Sequence, residues 1–294
     1  MMRLSILIPT YNYDCSRLVR QLHEQLPKGG EGEIIVGDDC STNMDVVRKN
    51  NEVSEFPYCR IYKPSHNLGR AAIRNALAKE AKGEWLLFID ADAEVCSPSF
   101  IDDYLAATKF APVVCGGTGN LPECPRPEAR LRYDYEVESE KRLTLELRRK
   151  FPYNQFRTFN FLIRRDLLLS IGFDESLKDY GHEDTLFGLE LRRRGINIHH
   201  IDNKLINVDL EDADVFMDKT ETALRTLATM DLELRQLVRI SALALRLEHW
   251  YLLGLVRFLF YIGKPVLRAN LLGKHPRLSF FALYKLGYYA AIIR

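Results

Sequence analysis

Two carboxylates one residue apart, Asp90 and Asp92, close the apolar run Trp85 to Ile89. Side chains alternate faces along a strand, so residues at i and i+2 point the same way, and the exit of a buried strand delivers both to the mouth of a sheet. Carboxylates that close repel one another unless a cation or proton lies between them, which points to a divalent metal holding an anionic substrate such as a diphosphate. An Asp after a strand also serves as an ordinary loop or cap residue, so the pair needs company. Arg70 and Arg74 supply some, one helical turn apart at the start of an Ala-rich stretch where forked donors and a helix terminus suit phosphate oxygens. Glu183 and Asp184 follow Gly181 at the start of another helix, whose positive terminus keeps a carboxylate ionised and ready to take a proton. First-turn acids that merely stabilise a helix look the same.

The elements that must carry these residues follow from periodicity. Leu4 to Ile8, Ile34 to Val36 and Trp85 to Ile89 are apolar runs of strand length; Leu18, Leu22 and Leu26 fall at helical spacing, and Ala71 to Ala81 reads as a helix. The β-α-β-α-β order predicts an α/β fold with a doubly wound, mostly parallel sheet. Pro9-Thr10-Tyr11-Asn12, Asp38-Asp39-Cys40-Ser41-Thr42 and Asp90-Ala91-Asp92 then lie on one sheet edge. Residues 1–115 form the expected ligand-binding half and 116–210 the second half, with a charged helical stretch from about Glu128 to Lys150. Residues 211–294 read as helices: Ala213 to Met230 and Leu232 to Leu247 amphipathic, Trp250 to Ile262 and Leu278 to Ile293 strongly apolar. Arg257 and Lys285 interrupt the last two, which argues against a span of about twenty apolar residues. An aromatic, basic, apolar helix pair fits an anionic membrane surface; packing on the body or on another subunit is the plainer alternative.

At 294 residues the chain can bury a substantial core. Its net charge of +1 hides a basic tail, since from Arg246 onward eight Lys and Arg face the single acid Glu248. The N-terminus runs straight into a strand pattern without a leader-like apolar segment, so a cytoplasmic body lying peripherally on the inner face of the cell membrane is expected. Cys15, Cys40, Cys59, Cys96, Cys115 and Cys124 show neither C-x-x-C pairs nor His at ligand spacing, and read as reduced, packed thiols.

Taken in order, Ser5 to Asn12, Val36 to Thr42, Asn67 to Asn75, Phe88 to Asp92 and Gly181 to Asp184 resemble the motifs of family 2 inverting glycosyltransferases with the GT-A fold. Each motif alone is weak; five in order over about two hundred residues are specific. The resemblance implies that Pro9, Thr10, Tyr11 and Asn12 flank the nucleotide, with Tyr11 stacking on the base. It makes Asp39 the acceptor for the N–H of a uracil-like ring, while Asp38 caps or orients its loop. Arg70 and Arg74 would meet phosphate, Asp90 the ribose or the metal shell, and Asp92 would ligate Mg²⁺ or Mn²⁺. Asp184 would be the base and Glu183 a binder of an acceptor hydroxyl.

Two positions depart from the pattern. Cys40 stands where similar proteins usually have Gly. Asn207 stands where a histidine often completes the metal shell, making it the expected, weaker oxygen ligand. The sequence therefore predicts a metal-assisted enzyme that moves a sugar from a nucleoside diphosphate sugar, UDP-linked, to a glycan or lipid-linked acceptor. It predicts peripheral membrane contact and no nucleic acid. The rivals are a metal-dependent nucleotidyl or phosphoryl transferase, and a non-catalytic sugar-binding scaffold. Pro9-Thr10-Tyr11-Asn12 lacks the Gly-rich, basic loop of the first, and retention of Asp39, Asp92 and Asp184 speaks against the second.

Overall fold

The computed structural model describes residues 2–177 and 180–293. Ten strands are present among them: β1 (Leu4–Thr10), β2 (Gly32–Asp38), β3 (Cys59–Tyr62), β4 (Trp85–Ile89), β5 (Ala93–Val95), β6 (Val113–Cys115), β7 (Thr118–Asn120), β8 (Asn160–Arg164), β9 (Ile198–His200) and β10 (Leu205–Asn207). The helices through the α/β region are α1 (Ser16–Glu24), α2 (Met44–Asn51), α3 (Arg70–Glu80), α4 (Phe100–Ala107), α5 (Arg130–Arg142), α6 (Leu145–Lys150), α7 (Arg165–Ile171) and α8 (Glu183–Arg193). They are followed by α9 (Ala213–Thr229), α10 (Leu232–Leu237), α11 (Arg239–His249), α12 (Leu253–Leu271) and α13 (Leu278–Ile292).

Seven strands make one sheet in the order β3-β2-β1-β4-β8-β6-β9, and β5-β10-β7 form a smaller one. The pairs β1–β2, β2–β3, β1–β4 and β6–β9 are parallel. Only β8 in the large sheet is antiparallel to its neighbours, β4 and β6. The α/β, mostly parallel reading of the sequence therefore holds. Thr10 pairs with Asp38 and Leu7 with Phe88, so β1, β2 and β4 end on one edge. Strands this deep are apolar on both faces: Ile6, Leu7, Ile8, Ile34, Ile35, Leu86, Leu87 and Phe88 are fully buried. Phe88 stacks on Phe161 at 5.1 Å, with Phe173 packed edge-on against both rings.

By contacts the chain divides into two compact units. The first holds residues 1–119, 143–178 and 187–209; the second holds 120–142, 179–186 and 210–294. Thus 120–142 and 179–186, grouped by the sequence with 116–210, are counted with the C-terminal helices. The charged helical stretch from about Glu128 to Lys150 is divided between α5 and α6, because Thr144 caps a new helix by accepting the Leu147 N–H at 3.3 Å. Leu232 to Leu247 likewise splits into α10 and α11 at Val238, whose φ/ψ of −87°/121° is extended. The second unit buries two apolar clusters, one around Leu131, Phe216, Phe260 and Phe281 and one around Leu224, Leu227, Leu253 and Tyr289. No single helix among the described residues is long and apolar enough to cross a membrane. The six cysteines are free thiols.

Candidate active site

Loops leaving β1 and β2 are clasped by polar side chains. Asn12 takes a left-handed φ of 54°, which Asn tolerates better than most residues. Its Oδ1 accepts the backbone N–H groups of Thr42 and Asn43 at 2.8 and 2.9 Å, its Nδ2 donates to Thr42 Oγ1 at 3.1 Å, and its own N–H donates to Ser41 Oγ at 2.8 Å. Thr10 and Pro9 lie in β1. The Thr10 carbonyl accepts the Asp39 N–H at 2.9 Å, and the Thr10 hydroxyl donates to the Tyr13 carbonyl. Tyr11 is half exposed. Asp38 orients its loop, as the sequence suggested, by accepting the Ser41 N–H at 2.8 Å. Cys40 sits at a φ of 62°, the conformation for which Gly is usual.

Asp39 is buried, and its two carboxylate oxygens accept the N–H groups of Leu68 and Gly69 at 2.7 and 2.9 Å. It thereby holds the turn opening α3, where Gly69 adopts φ 84°. α3 in turn carries Arg70 and Arg74 and packs on β1 and β2. Arg74 is almost fully buried; its Nη2 donates to Asp90 Oδ1 at 2.5 Å, and its Nη1 to the Arg70 carbonyl. Arg70 is half exposed and lies 3.7 Å from the other Asp90 oxygen. The two arginines thus straddle Asp90: Arg74 is locked inside, while Arg70 keeps a solvent-facing guanidinium.

Asp92 is in the opposite situation. Burial and the neighbouring Asp90 charge push its carboxyl up to about 7, with Asp209 adding to the rise and Arg70 opposing it. Asp209 also raises the Tyr13 phenol, which burial takes to about 12. Asn207 pairs with Ala93 across β10 and β5, and the Val208 N–H donates to the Asp92 carbonyl at 3.0 Å, so the smaller sheet brings this turn beside Asp92. The Asn207 Oδ1 accepts the Asp209 N–H at 3.2 Å. No group of three His, Cys, Asp or Glu side chains among the described residues forms a ready metal cage. A half-buried carboxylate with Asp90 and Asp209 close by nevertheless suits Mg²⁺ or Mn²⁺, hard ions that take one or two carboxylates and complete their shell with water and phosphate.

Glu183 and Asp184 begin α8, in the second unit. Gly181 and His182 precede them with φ of 110° and 69°. A Cβ at Gly181 would come within 2.7 Å of Ala223 Cβ, so the turn is tied to α9; the Thr226 hydroxyl also donates to the Tyr180 carbonyl at 3.3 Å. Asp184 Oδ1 accepts the Thr185 N–H at 2.8 Å.

Sequence reasoning did not single out Asp209, Tyr13 or Asn160. Asp209 follows Asn207 at i+2, the same spacing that drew notice to Asp90 and Asp92. Asn160 is a buried hub at the start of β8. Its Oδ1 accepts the Tyr104 hydroxyl at 2.5 Å, and its Nδ2 lies within hydrogen-bond distance of the Gly117 and Asn203 carbonyls, at 3.1 and 2.9 Å. The preceding residue is engaged too, the Phe159 carbonyl accepting the Asp90 N–H at 3.0 Å. His199 and His200 stand elsewhere, the first against the Phe110 ring and the second, buried, beside the Pro152 carbonyl.

Both the sequence and the fold have counterparts among known proteins. The curated Staphylococcus aureus poly(ribitol-phosphate) beta-N-acetylglucosaminyltransferase TarS is 33% identical over 96 residues, 31% of this chain but 16% of that protein's length. The solved structure of S. aureus TarS 1-349 in complex with UDP-GlcNAc shares the fold, with a TM-score of 0.56 at 20% identity over 99% of this chain and 90% of that one. The mannosyltransferase PcManGT from Pyrobaculum calidifontis in complex with GDP-Man and Mn²⁺ does so with a TM-score of 0.60 at 16% identity, over 98% and 84%. The family model of glycosyl transferase family 2 matches residues 5–172, which include the exits of β1, β2 and β4, and the chain accordingly belongs to that family.

Proposed function

We propose that this glycosyltransferase moves a hexosyl group from UDP-sugar to a hydroxyl of a glycan or lipid-linked acceptor, with inversion and with the help of a divalent metal. The observation that carries the proposal is the contrast within one turn: Asp90 is neutralised by Arg74, while the Asp92 carboxyl is pushed up to about 7. A carboxylate kept in that state is suited to a cation that arrives with an anionic substrate. The UDP-GlcNAc bound to TarS and the GDP-Man and Mn²⁺ bound to PcManGT support a nucleoside diphosphate sugar and a metal.

In this reading Tyr11 stacks on the base, and Asp39, already anchored by Leu68 and Gly69, uses its remaining lone pairs to accept the uracil N–H. Pro9, Thr10 and Asn12 shape the loop beside it. Arg70 reaches the diphosphate, while Arg74 holds Asp90 in place beside it. Asp92, with Asn207 and Asp209 next to it, would hold Mg²⁺ or Mn²⁺, a Lewis acid that offsets charge on the departing diphosphate. Glu183 binds an acceptor hydroxyl, and Asp184 takes the proton as the acceptor oxygen bonds to the anomeric carbon. The bond to the diphosphate oxygen breaks on the opposite face, and the diphosphate leaves with the electron pair.

The test is donor binding and turnover across UDP-, GDP- and dTDP-sugars with and without Mn²⁺, in wild type, Asp92→Ala and Asp184→Ala. The expected result is metal-dependent binding of UDP-sugar, its loss in Asp92→Ala, and intact binding without turnover in Asp184→Ala. Absence of binding to every sugar nucleotide would overturn the proposal, and full turnover by Asp184→Ala would remove its base.

A further inference from the structure

The outward face of α12 breaks the usual rule for surface helices. Leu255, Phe258, Leu259, Ile262 and Val266 fall at helical spacing and are each 55 to 66% exposed. The three cations of the same helix turn elsewhere. Arg257 donates to the Ala290 and Ile293 carbonyls at the end of α13, both at 2.6 Å; Lys264 lies over the Phe260 and Tyr288 rings; Arg268 is 4.0 Å from Glu221. The exposed stripe is therefore free of charge along a helix of 19 residues, about 28 Å.

Its two ends differ. Trp250 and Tyr251, 71 and 94% exposed, occupy the turn before the helix. Lys274 and Arg277, both exposed, follow it. Residues 246–294 carry eight Lys and Arg against one acid. Amphipathic aromatics with an apolar stripe and surrounding cations match the chemistry of a bilayer interface rich in anionic headgroups. A second copy of the chain suits the face less well, because a two-fold contact would bring one cationic segment against another. A crossing is also disfavoured: α11 and α12 pass for a span only as a pair, bent by 118°.

We infer that α12 lies flat on an anionic membrane, with Leu255, Phe258, Leu259, Ile262 and Val266 inserted at the acyl boundary, Trp250 and Tyr251 at headgroup level and Lys274 and Arg277 on the lipid phosphates. The inference does not depend on the donor or on the reaction.

The experiment is vesicle flotation of the full chain with phosphatidylcholine alone and mixed with phosphatidylglycerol, alongside tryptophan emission in a Trp85→Phe background, where Trp250 is the remaining reporter. The expected result is flotation with the anionic vesicles and a blue shift of Trp250. Lys274→Gln with Arg277→Gln lowers the partition coefficient roughly 30-fold, from about fivefold per cation. Leu259→Gln with Ile262→Gln removes flotation while circular dichroism stays that of the folded protein. Three outcomes would overturn the inference: no flotation of wild type with anionic vesicles, flotation untouched by Leu259→Gln with Ile262→Gln, or a dimer in sedimentation analysis that those substitutions dissociate in place of vesicle binding.

Discussion

The strand exits of the sheet and the outer face of α12 both invert the ordinary partition of residues, in opposite senses. At the exits charged and amide groups are buried: Asp38, Asp39, Arg74 and Asn160 are all at most 5% exposed. On α12 large apolar groups are in water. Burying a polar group is costly unless it is hydrogen-bonded, and the exits meet that demand internally through Asp39 with the 67–69 turn, Arg74 with Asp90, and Asn160 with Tyr104. Asp92 is where internal compensation falls short. The α12 stripe stays exposed among the described residues. Both regions therefore look outward for a partner, one through a single uncompensated carboxylate and the other through a whole apolar surface.

The largest effect tests internal compensation. Arg74→Ala leaves the Asp90 carboxylate without its buried guanidinium and removes a packed side chain, and is expected to lower unfolding free energy by about 3 kcal/mol, measured by denaturant titration. Asp90→Asn in the same background should recover part of that loss. If Arg74→Ala unfolds like wild type, the exits are not held by this pair.

Asp92 carries the pH dependence. Its carboxyl is raised to about 7 in the folded chain, against about 3.8 unfolded, so the folded state binds the extra proton between those values. Stability of the metal-free protein should fall as pH rises from about 4 to 7 and level off above. Asp92→Asn should abolish that component, giving a higher Tm than wild type at pH 8 and an unchanged one at pH 4. Mn²⁺ should raise the Tm of wild type more at pH 8 than at pH 6, and that of Asp92→Asn at neither. Thermal scans across pH check both halves, and a flat wild-type profile would place Asp92 in solvent instead.

How much of this was legible in the sequence depended on whether a residue's role follows from local pattern. The parallel strands and their shared edge follow from short apolar runs alternating with segments of period 3.6, so Asp39, Asp90 and Asp92 fall at the exits on the sequence pattern alone. What Asp39 and Asn12 do with their oxygens is a tertiary matter. Leu68, Gly69, Thr42 and Asn43 occupy them, and those backbones arrive from 29 to 31 residues away. Arg70 and Arg74 look equivalent on a helix face, yet one is half exposed and the other buried. Along the sequence Trp250 to Ile262 is an apolar stretch interrupted by Arg257; only packing reveals that Arg257 turns toward the end of α13, which makes the exposed face of α12 uniform.

The clasp at Asn12 gives a smaller effect. Asn12→Ala loses the hydrogen bonds to Thr42 and Asn43 and also places a Cβ residue without a local polar partner at φ 54°, costing about 2 kcal/mol. Asn12→Gly relieves the backbone component but not the hydrogen bonds and should cost about 1 kcal/mol. Equal losses in the two variants would mean the left-handed conformation contributes nothing.

The smallest expected effect is the sharpest test of the other inversion. Leu259 and Phe260 are adjacent on α12, one 58% exposed and the other 8%. Phe260 packs edge-on against Tyr284 and touches Gly287 of α13 so closely that a Cβ there would sit 2.3 Å from the ring. Phe260→Ala should therefore cost about 3 kcal/mol as a cavity in the helical core. Leu259→Gln removes an apolar side chain of similar helix propensity from water and should change unfolding free energy by less than about 0.5 kcal/mol. A stability penalty for Leu259→Gln comparable to that of Phe260→Ala would show that the stripe is already covered in the folded chain, and the contrast between a self-satisfied sheet edge and an outward-looking helix would collapse.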